Sequence, residues 1–292
     1  MPKPRFGIAL AIVGSIAFAG KAIIVKLAYR HGVDAVTLIM YRMLFALPLF
    51  LALAWWSSRG RPALSRRDWA VVCALGFSGY YLASFLDFAG LAYISASLER
   101  LILYLNPTLV LAIGVIVFKR KVTRRQLGAL AVSYCGVLLV FGHEASFQGR
   151  DAALGTALVF ASAVSYAIYL VASGEVVQRL GALRLTGLAT SVACLFCIAQ
   201  FALLRPLSAA IVAPEVIWLS VLNATLCTFA PVLMVMMAME RIGATLAAQT
   251  GMIGPLSTIV MGVVILGEPF TAWIVAGTLL VLTGIWLLAI RR

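Results

Sequence analysis

Apolar residues run along this chain in long blocks, and each block ends at a charged residue, a glycine or a proline. A bilayer core about 30 Å thick is crossed by about 20 residues of helix, each rising about 1.5 Å. Stretches of that length lie near 6–29, 35–56, 69–91, 97–118, 123–142, 153–173, 183–204, 214–238, 244–266 and 271–290. The pattern predicts an all-α membrane protein of ten transmembrane helices. The connecting loops are too short to carry chemistry of their own, and no room is left for an extramembrane domain.

The blocks repeat at a constant offset of 148 residues. Gly7 pairs with Gly155, Ala9 with Ala157, Leu10 with Leu158, Pro107 with Pro255, Thr123 with Thr271 and Gly136 with Gly284. One offset held over so much of the chain argues for duplication. It divides the chain into a first five-helix repeat (1–142), an outer linker (143–153) and a second five-helix repeat (154–292). Five is odd, so the second unit is expected to sit upside down relative to the first. Inverted repeats are a transporter architecture: the substrate site lies near the midplane between the halves, and rocking of the halves alternates access.

Composition sharpens the picture. Hydrophobic residues make up 63% of the 292 positions and charged residues 11%, and the mean hydropathy is +1.07. Soluble domains hold about 45–50% apolar and about 25% charged residues, so lipid is the expected solvent. A net charge of +13 would ordinarily suggest nucleic acid, but its distribution fits membrane topology better. With the N-terminus inside, sixteen basic residues fall in inner loops: Lys3, Arg5, Arg59, Arg61, Arg66, Arg67, Lys119, Arg120, Lys121, Arg124, Arg125, Arg179, Arg184, Arg241, Arg291 and Arg292. Only Arg30, Arg150 and Arg205 fall outside. The positive-inside rule then places the chain in the cytoplasmic (inner) membrane as a multi-pass protein with both termini cytoplasmic, and no nucleic-acid partner is expected. Ala17-Phe18-Ala19 has the look of a signal-peptide cleavage site, but the apolar run is too long and the repeat requires that helix.

Several function classes drop out. All five cysteines lie in apolar blocks; the Cys194/Cys197 spacing reads as packing, with no second pair or histidine cluster to complete a metal site. His31 and His143 are placed in short loops. No metal, cofactor or catalytic residue is expected. Gly-x-x-x-x-Gly-Lys is absent, which excludes ATP drive within this chain. No span holds a histidine or a paired-carboxylate spacing, which argues against an intramembrane enzyme.

Ionisable groups inside spans are costly and tend to pair or to line a water-filled path. The candidates are Lys21, Lys26, Arg42 and Arg100 with Asp87 and Glu99, all in the first repeat. Lys26 and Arg100 are near enough to span ends to snorkel. Lys21 with Asp87, and Arg42 with Glu99, are the expected pairings, with a structural ion pair and a substrate or proton role both open. Helical spacing puts Gly76, Tyr80, Ser84 and Asp87 on one face of the third span. Glu99 and Asn106 share a face of the fourth, beside Arg100, Tyr104 and Pro107. Ser162, Ser165, Tyr169 and Ser173 stripe the sixth, and Asn223, Cys227 and Pro231 the eighth. Such stripes either line a path or pack helices together. The candidate substrate-binding or pathway residues are Lys21, Arg42, Tyr80, Ser84, Asp87, Glu99, Tyr104, Tyr169 and Asn223. Pro107 and Pro255 bend their helices as hinges or as plain kinks.

The twofold five-helix repeat, the paired prolines, Val264-Ile265-Leu266-Gly267-Glu268 closing the ninth span and the glycines Gly128, Gly136, Gly277 and Gly284 resemble one family. It is the drug/metabolite transporter superfamily, in its ten-helix EamA-type branch. The resemblance spans nearly the whole chain and implies a secondary transporter exporting small amphipathic metabolites. Similarity to bacterial aromatic amino-acid exporters makes aromatic or hydrophobic amino acids the expected substrate, with protons as a candidate coupling partner. A lipid or lipid-linked sugar flippase on the same scaffold is the alternative. One departure stands out: Lys119-Arg120-Lys121 occupies the stretch after the fourth span where the family commonly has an acidic residue.

Overall fold

The computed structural model describes residues 4–118, 123–148, 150–242, 250 and 253–289. These residues form helices and short connections, with no strand among them. In chain order the helices are α1 (Pro4–Tyr29), α2 (Ala35–Ser58) and α3, which runs from Arg66 to Leu91 with a π-helical stretch at Gly76–Leu82. Next come α4 (Ala96–Leu103), α5 (Asn106–Phe118), α6 (Arg124–Gln148), α7 (Arg150–Leu180) and α8 (Ala182–Leu204). α9 joins Pro214–Ala224 to Ala230–Ile242 through a π stretch at Thr225–Phe229. α10 (Ile253–Met261) ends in a π stretch, Gly262–Leu266, and α11 is Ala272–Ala289.

Eight helical stretches among the described residues are long and apolar enough to cross a membrane, α4 and α5 counting as one. Two shorter apolar helices, Leu256–Leu266 and Ala272–Leu287, stand where the ninth and tenth spans are predicted. Much of the front of the ninth span lies outside the described residues. So do Lys3, Lys119, Arg120, Lys121, Arg291 and Arg292 of the inner-loop reading.

Helix starts follow local chemistry. The Asp34 carboxylate accepts from Val36 N at 2.9 Å and Thr37 N at 3.3 Å, capping α2. Ser65 and Asp68 form a reciprocal capping box at α3, and Ser95 accepts from Leu98 N at 3.0 Å at the start of α4. Each cap satisfies backbone donors that the first helical turn leaves orphaned.

Two boundaries differ from the sequence reading. The linker expected over 143–153 is helical on both sides of residue 149, within α6 and α7, and His143 sits inside α6 rather than in a loop. Nothing between Phe141 and Gln148 breaks a helix, so α6 continues past the point where its apolar run stops. Its imidazole stacks on Trp273 with ring centroids 6.0 Å apart. The fourth span, expected to be continuous, breaks at Tyr104–Leu105, with Pro107 in the first turn of α5. Proline suits a first turn, where no N–H is needed.

The main packing partners are α2 with α8, α6 with α11, α1 with α9 and α3 with α7. Small residues let these backbones approach. A Cβ on Gly136 would lie 2.6 Å from the Gly277 carbonyl oxygen, and one on Gly277 would lie 2.7 Å from that of Gly136. The usual inside-out logic of a soluble protein is reversed: Ile116, Leu203, Trp218 and Val264 are exposed, while Lys21, Arg42, Asp87, Glu99 and Arg100 are buried. A surface of that kind requires lipid around it.

Contacts between early and late helices tie both ends of the bundle. At the basic end Arg184 donates to the Pro62 carbonyl at 2.9 Å and to Ser58 Oγ at 3.1 Å. Arg61 donates to the Leu180 carbonyl, and Arg179 pairs with Asp68. At the other end Arg30 donates to the Leu266 carbonyl at 2.7 Å, and Tyr41 to that of Ala210 at 2.5 Å. There Arg205 also pairs with Asp34 at 3.1 Å.

Candidate functional site: a charged cavity inside the bundle

Between these ends lies a cavity of about 400 Å³, within the range of small-molecule sites. Its walls come from α1, α2, α3, the α4–α5 break, α7, α8, α9 and α10. The lining includes aromatic rings, from Phe18, Phe50, Tyr80, Tyr104 and Tyr166, and hydroxyls, from Ser84, Ser162, Thr186, Thr190 and Thr228. Four charged residues face it: Lys21, Arg42, Asp87 and Arg100.

The charges are arranged unequally. Lys21 Nζ lies 2.5 Å from Asp87 Oδ2 and 3.4 Å from Glu99 Oε1. The other oxygen of Glu99 lies 3.6 Å from Arg100 Nε. α1, α3 and α4 thus contribute two cations and two carboxylates to one buried cluster. Its members belong together because each would be costly alone in a low-dielectric interior.

Arg42 stands apart. The expected Arg42–Glu99 pair does not form. Its Nε donates to Thr228 Oγ1 at 3.0 Å, and its guanidinium lies 5.1 Å from the Phe88 ring centroid. Glu99 is drawn instead to Lys21 and to Arg100, its neighbour in sequence. Thr228 is available to Arg42 because of the π stretch in α9: the wider turn lets its hydroxyl donate to the Asn223 carbonyl at 2.8 Å. π-helical turns of this kind are frequent at functional sites.

Of the candidate pathway residues, the structure brings Lys21, Arg42, Tyr80, Ser84, Asp87 and Tyr104 onto the cavity wall. Glu99 lies one layer behind, fully buried. Tyr169 is also behind the wall, its hydroxyl 3.1 Å from that of Tyr80. Asn223 is buried outside the lining, and its carbonyl accepts from the Thr228 hydroxyl.

Three stripes hold only in part. Gly76 turns away from the cavity; a Cβ there would lie 2.5 Å from the Ala189 carbonyl oxygen. The π stretch that begins at this glycine shifts the helical phase, so Gly76 and Asp87 do not share a face. In α7, Ser162 reaches the cavity wall, but Ser165 donates to the Ser78 carbonyl and Ser173 to that of Leu170. In α9, Pro231 lines the wall while Cys227 packs within the bundle near Gly20.

Arg100, read from sequence as a snorkelling side chain, is instead 4% exposed and part of the wall. Lys26 is half-buried near the end of α1. Pro107 is exposed beside the α4–α5 break, and Pro255 falls within α10. The lining hydroxyls of Thr186, Thr190 and Thr228 are not legible in the sequence, since threonines in apolar helices give no signal until their neighbours are known.

A second carboxylate site closes the end that carries Arg30 and Arg205. Glu268 accepts from Ala96 N at 2.7 Å, Ser97 N at 3.3 Å and Ser97 Oγ at 2.8 Å. Glu144 accepts from the Ser95 hydroxyl and from Ser95 N. Both carboxylates complement the N-terminal dipole of α4, and they dock α6 and the connection between α10 and α11 onto the helix that carries Glu99 and Arg100.

Comparison with known proteins gives one consistent result. The model of the EamA-like transporter family matches twice, over residues 5–142 and 153–290. The uncharacterized transporter YcbK of Bacillus subtilis is 28% identical over 90% of this chain and 86% of its own length. An uncharacterized transporter of Archaeoglobus fulgidus is 23% identical over 94% of each. A solved crystal structure superposes with a TM-score of 0.63 over 97% of this chain and 96% of its own, at 16% identity, which shows a common fold alone. With both halves matched, the multi-pass bundle and its cavity are those of a membrane transporter, and this chain belongs to the EamA-like transporter family.

Proposed function

We propose that the protein is a secondary transporter that exports small amphipathic metabolites, amino acids with aromatic or hydrophobic side chains foremost, across the cytoplasmic membrane. It does so by alternating access between two inverted five-helix halves, 1–142 and 154–292, making ten spans with both termini inside. The observation that carries this reading is the cavity itself: about 400 Å³ of space inside an apolar bundle, lined by charges, hydroxyls and aromatic rings together. Charges hold a solute's polar head, and the rings of Phe18, Tyr80 and Tyr166 take its apolar body.

Three further observations support the inverted pair. The π stretches at Gly76–Leu82 and Thr225–Phe229 stand in corresponding places at the offset of 148 residues. Partner helices match in reciprocal fashion, α1 on α9 and α3 on α7. The family model fits each half separately. Protons are the coupling ions in this account, taken up at the Asp87–Glu99 cluster.

Purified protein in liposomes is expected to move labelled phenylalanine or tryptophan, and an imposed pH gradient to change the rate. Asp87→Asn and Glu99→Gln are expected to abolish the pH response. Absence of flux for every amino acid in a broad panel rejects the substrate class. Flux that ignores the pH gradient in wild type rejects the proton role alone.

A further inference from the structure

We infer that Arg42 is the anion receptor of the cavity, and that the cargo is recognised through a carboxylate seated on its guanidinium, with an ammonium group dispensable. This deepens the transporter reading above and rests on it. Arg42 is 5% exposed and lines the cavity. Its Nε is used by Thr228, whereas its Nη1 is buried with no hydrogen-bond partner among the described residues. No carboxylate oxygen among those residues lies within 4.0 Å of the guanidinium.

The contrast with the neighbouring cluster identifies the ligand's charge. With all five groups ionised, Asp87 and Glu99 balance Lys21 and Arg100, and Arg42 remains as the excess positive charge. A buried cation without a counter-charge is costly, and the planar fork of a guanidinium matches a carboxylate through paired hydrogen bonds. The ring of Phe88 attends the Arg42 guanidinium at 5.1 Å. Thr190 Oγ1, buried in the same lining and likewise without a hydrogen-bond partner among the described residues, offers a further donor for the anion. Both acids are already paired with cations, so an ammonium meets no uncompensated negative charge here, only Asp87 Oδ1 as an acceptor without a hydrogen-bond partner among the described residues. The class of ligand that fits is an aromatic or aliphatic monocarboxylate, amino acids being one subset.

Four probes of one shape test this in proteoliposomes and by thermal stabilisation of the purified protein: 3-phenylpropanoate, phenylalanine, phenethylamine and 3-phenylpropanamide. The two carboxylates are expected to stabilise the protein and to be transported, and the amine and amide to do neither. Arg42→Gln is expected to weaken carboxylate binding at least tenfold while leaving the ligand-free melting temperature equal or higher, because it removes an uncompensated buried charge. Arg42→Lys, which keeps the charge but loses the fork, is expected to fall between. Thr190→Val, which keeps the shape, serves as the second variant should Arg42→Gln fold poorly, with an expected loss of about threefold. Transport of the amine or amide with rejection of both carboxylates overturns the assignment to Arg42 and leaves the transporter reading intact. So does carboxylate binding unchanged in Arg42→Gln, or unchanged in Thr190→Val if that variant alone is obtained. No flux of any probe, with no stabilisation by either carboxylate, overturns the assignment to Arg42, and the broad amino-acid panel above then decides the transporter reading.

Discussion

The two parts of the cavity wall differ in kind. Among the described residues, those before position 143 contribute every charged side chain that faces it: Lys21, Arg42, Asp87 and Arg100. Residues after position 153 contribute Ser162, Tyr166, Thr186, Thr190, Thr228, Pro231, Val232, Val235 and Gly254, none of them charged. Matched helices have therefore taken different work. The early helices pay the desolvation cost of a charge cluster, and the late ones supply hydroxyls, small residues and packing around it. Duplication fixes a backbone plan and leaves the chemistry of each copy free to diverge.

That comparison can be broken first at its most expensive point. Asp87→Leu leaves the Lys21 and Arg100 cations sharing Glu99 alone, and breaking a buried pair in this way costs about 3–5 kcal/mol. A marked fall in melting temperature in detergent is expected. Lys21→Met combined with Asp87→Leu removes one charge of each sign and is expected to recover most of that loss, which a double-mutant cycle reads directly. If the double variant is as unstable as the sum of the singles, the cluster is not held by charge balance.

A packing change on the boundary between the two parts comes next. A Cβ on Gly79 would meet the Tyr169 ring at 2.3 Å. Gly79→Ala is expected to cost about 1–3 kcal/mol through overpacking, and the same assay checks it. Thr228→Val follows, removing a hydroxyl that joins Arg42 to the Asn223 carbonyl. A cost of about 1–3 kcal/mol is expected from the orphaned donor, together with reduced flux of carboxylate substrates. An unchanged flux separates the late helices from substrate handling.

The smallest effect lies at the bundle end. Partial burial pushes the Asp34 carboxyl up, but hydrogen bonds from Thr37 and Arg205 and the Arg205 charge pull it below the ordinary range. A carboxylate lowered by folding adds stability above its unfolded value, near pH 4, and that stability is lost as pH falls through the lower folded value. Arg205→Gln is expected to shift neutral-pH stability by less than about 1 kcal/mol, as for other exposed pairs, and to reduce the loss seen below about pH 4. Thermal melts at pH 7 and pH 3.5 check both parts.

Much of this is legible in the sequence. Apolar blocks located eight stretches able to cross a membrane, and the pairing of Lys21 with Asp87 followed from their being deep and opposite in sign. Tyr80, Ser84 and Asp87 were grouped by helical spacing, and all three reach the cavity. What escaped has physical causes. Spacing arguments assume an unbroken helix of one period, and α3 departs from it at the π stretch that begins at Gly76, as the fourth span does at Tyr104–Leu105. Charge arithmetic pairs opposite signs but not positions, so Glu99 was assigned to Arg42 when Lys21 and Arg100 lay nearer. Distance from a predicted span end misjudged Arg100, because the chain around α4 is buried within the bundle rather than facing lipid. Glu268 was read as a family signature; its role in capping α4 depends on a contact 171 positions away in sequence.

The most direct measurement asks whether solute crosses through this cavity. Val232 is a half-buried, uncharged residue of its wall, remote from the charge cluster in chemistry. Val232→Trp fills the space without altering any ionisable group, and uptake of labelled phenylalanine into proteoliposomes reads the result. A loss of flux of at least tenfold in a protein that remains monodisperse and melts near wild type is the outcome expected here. Flux at the wild-type rate through a plugged cavity contradicts the account.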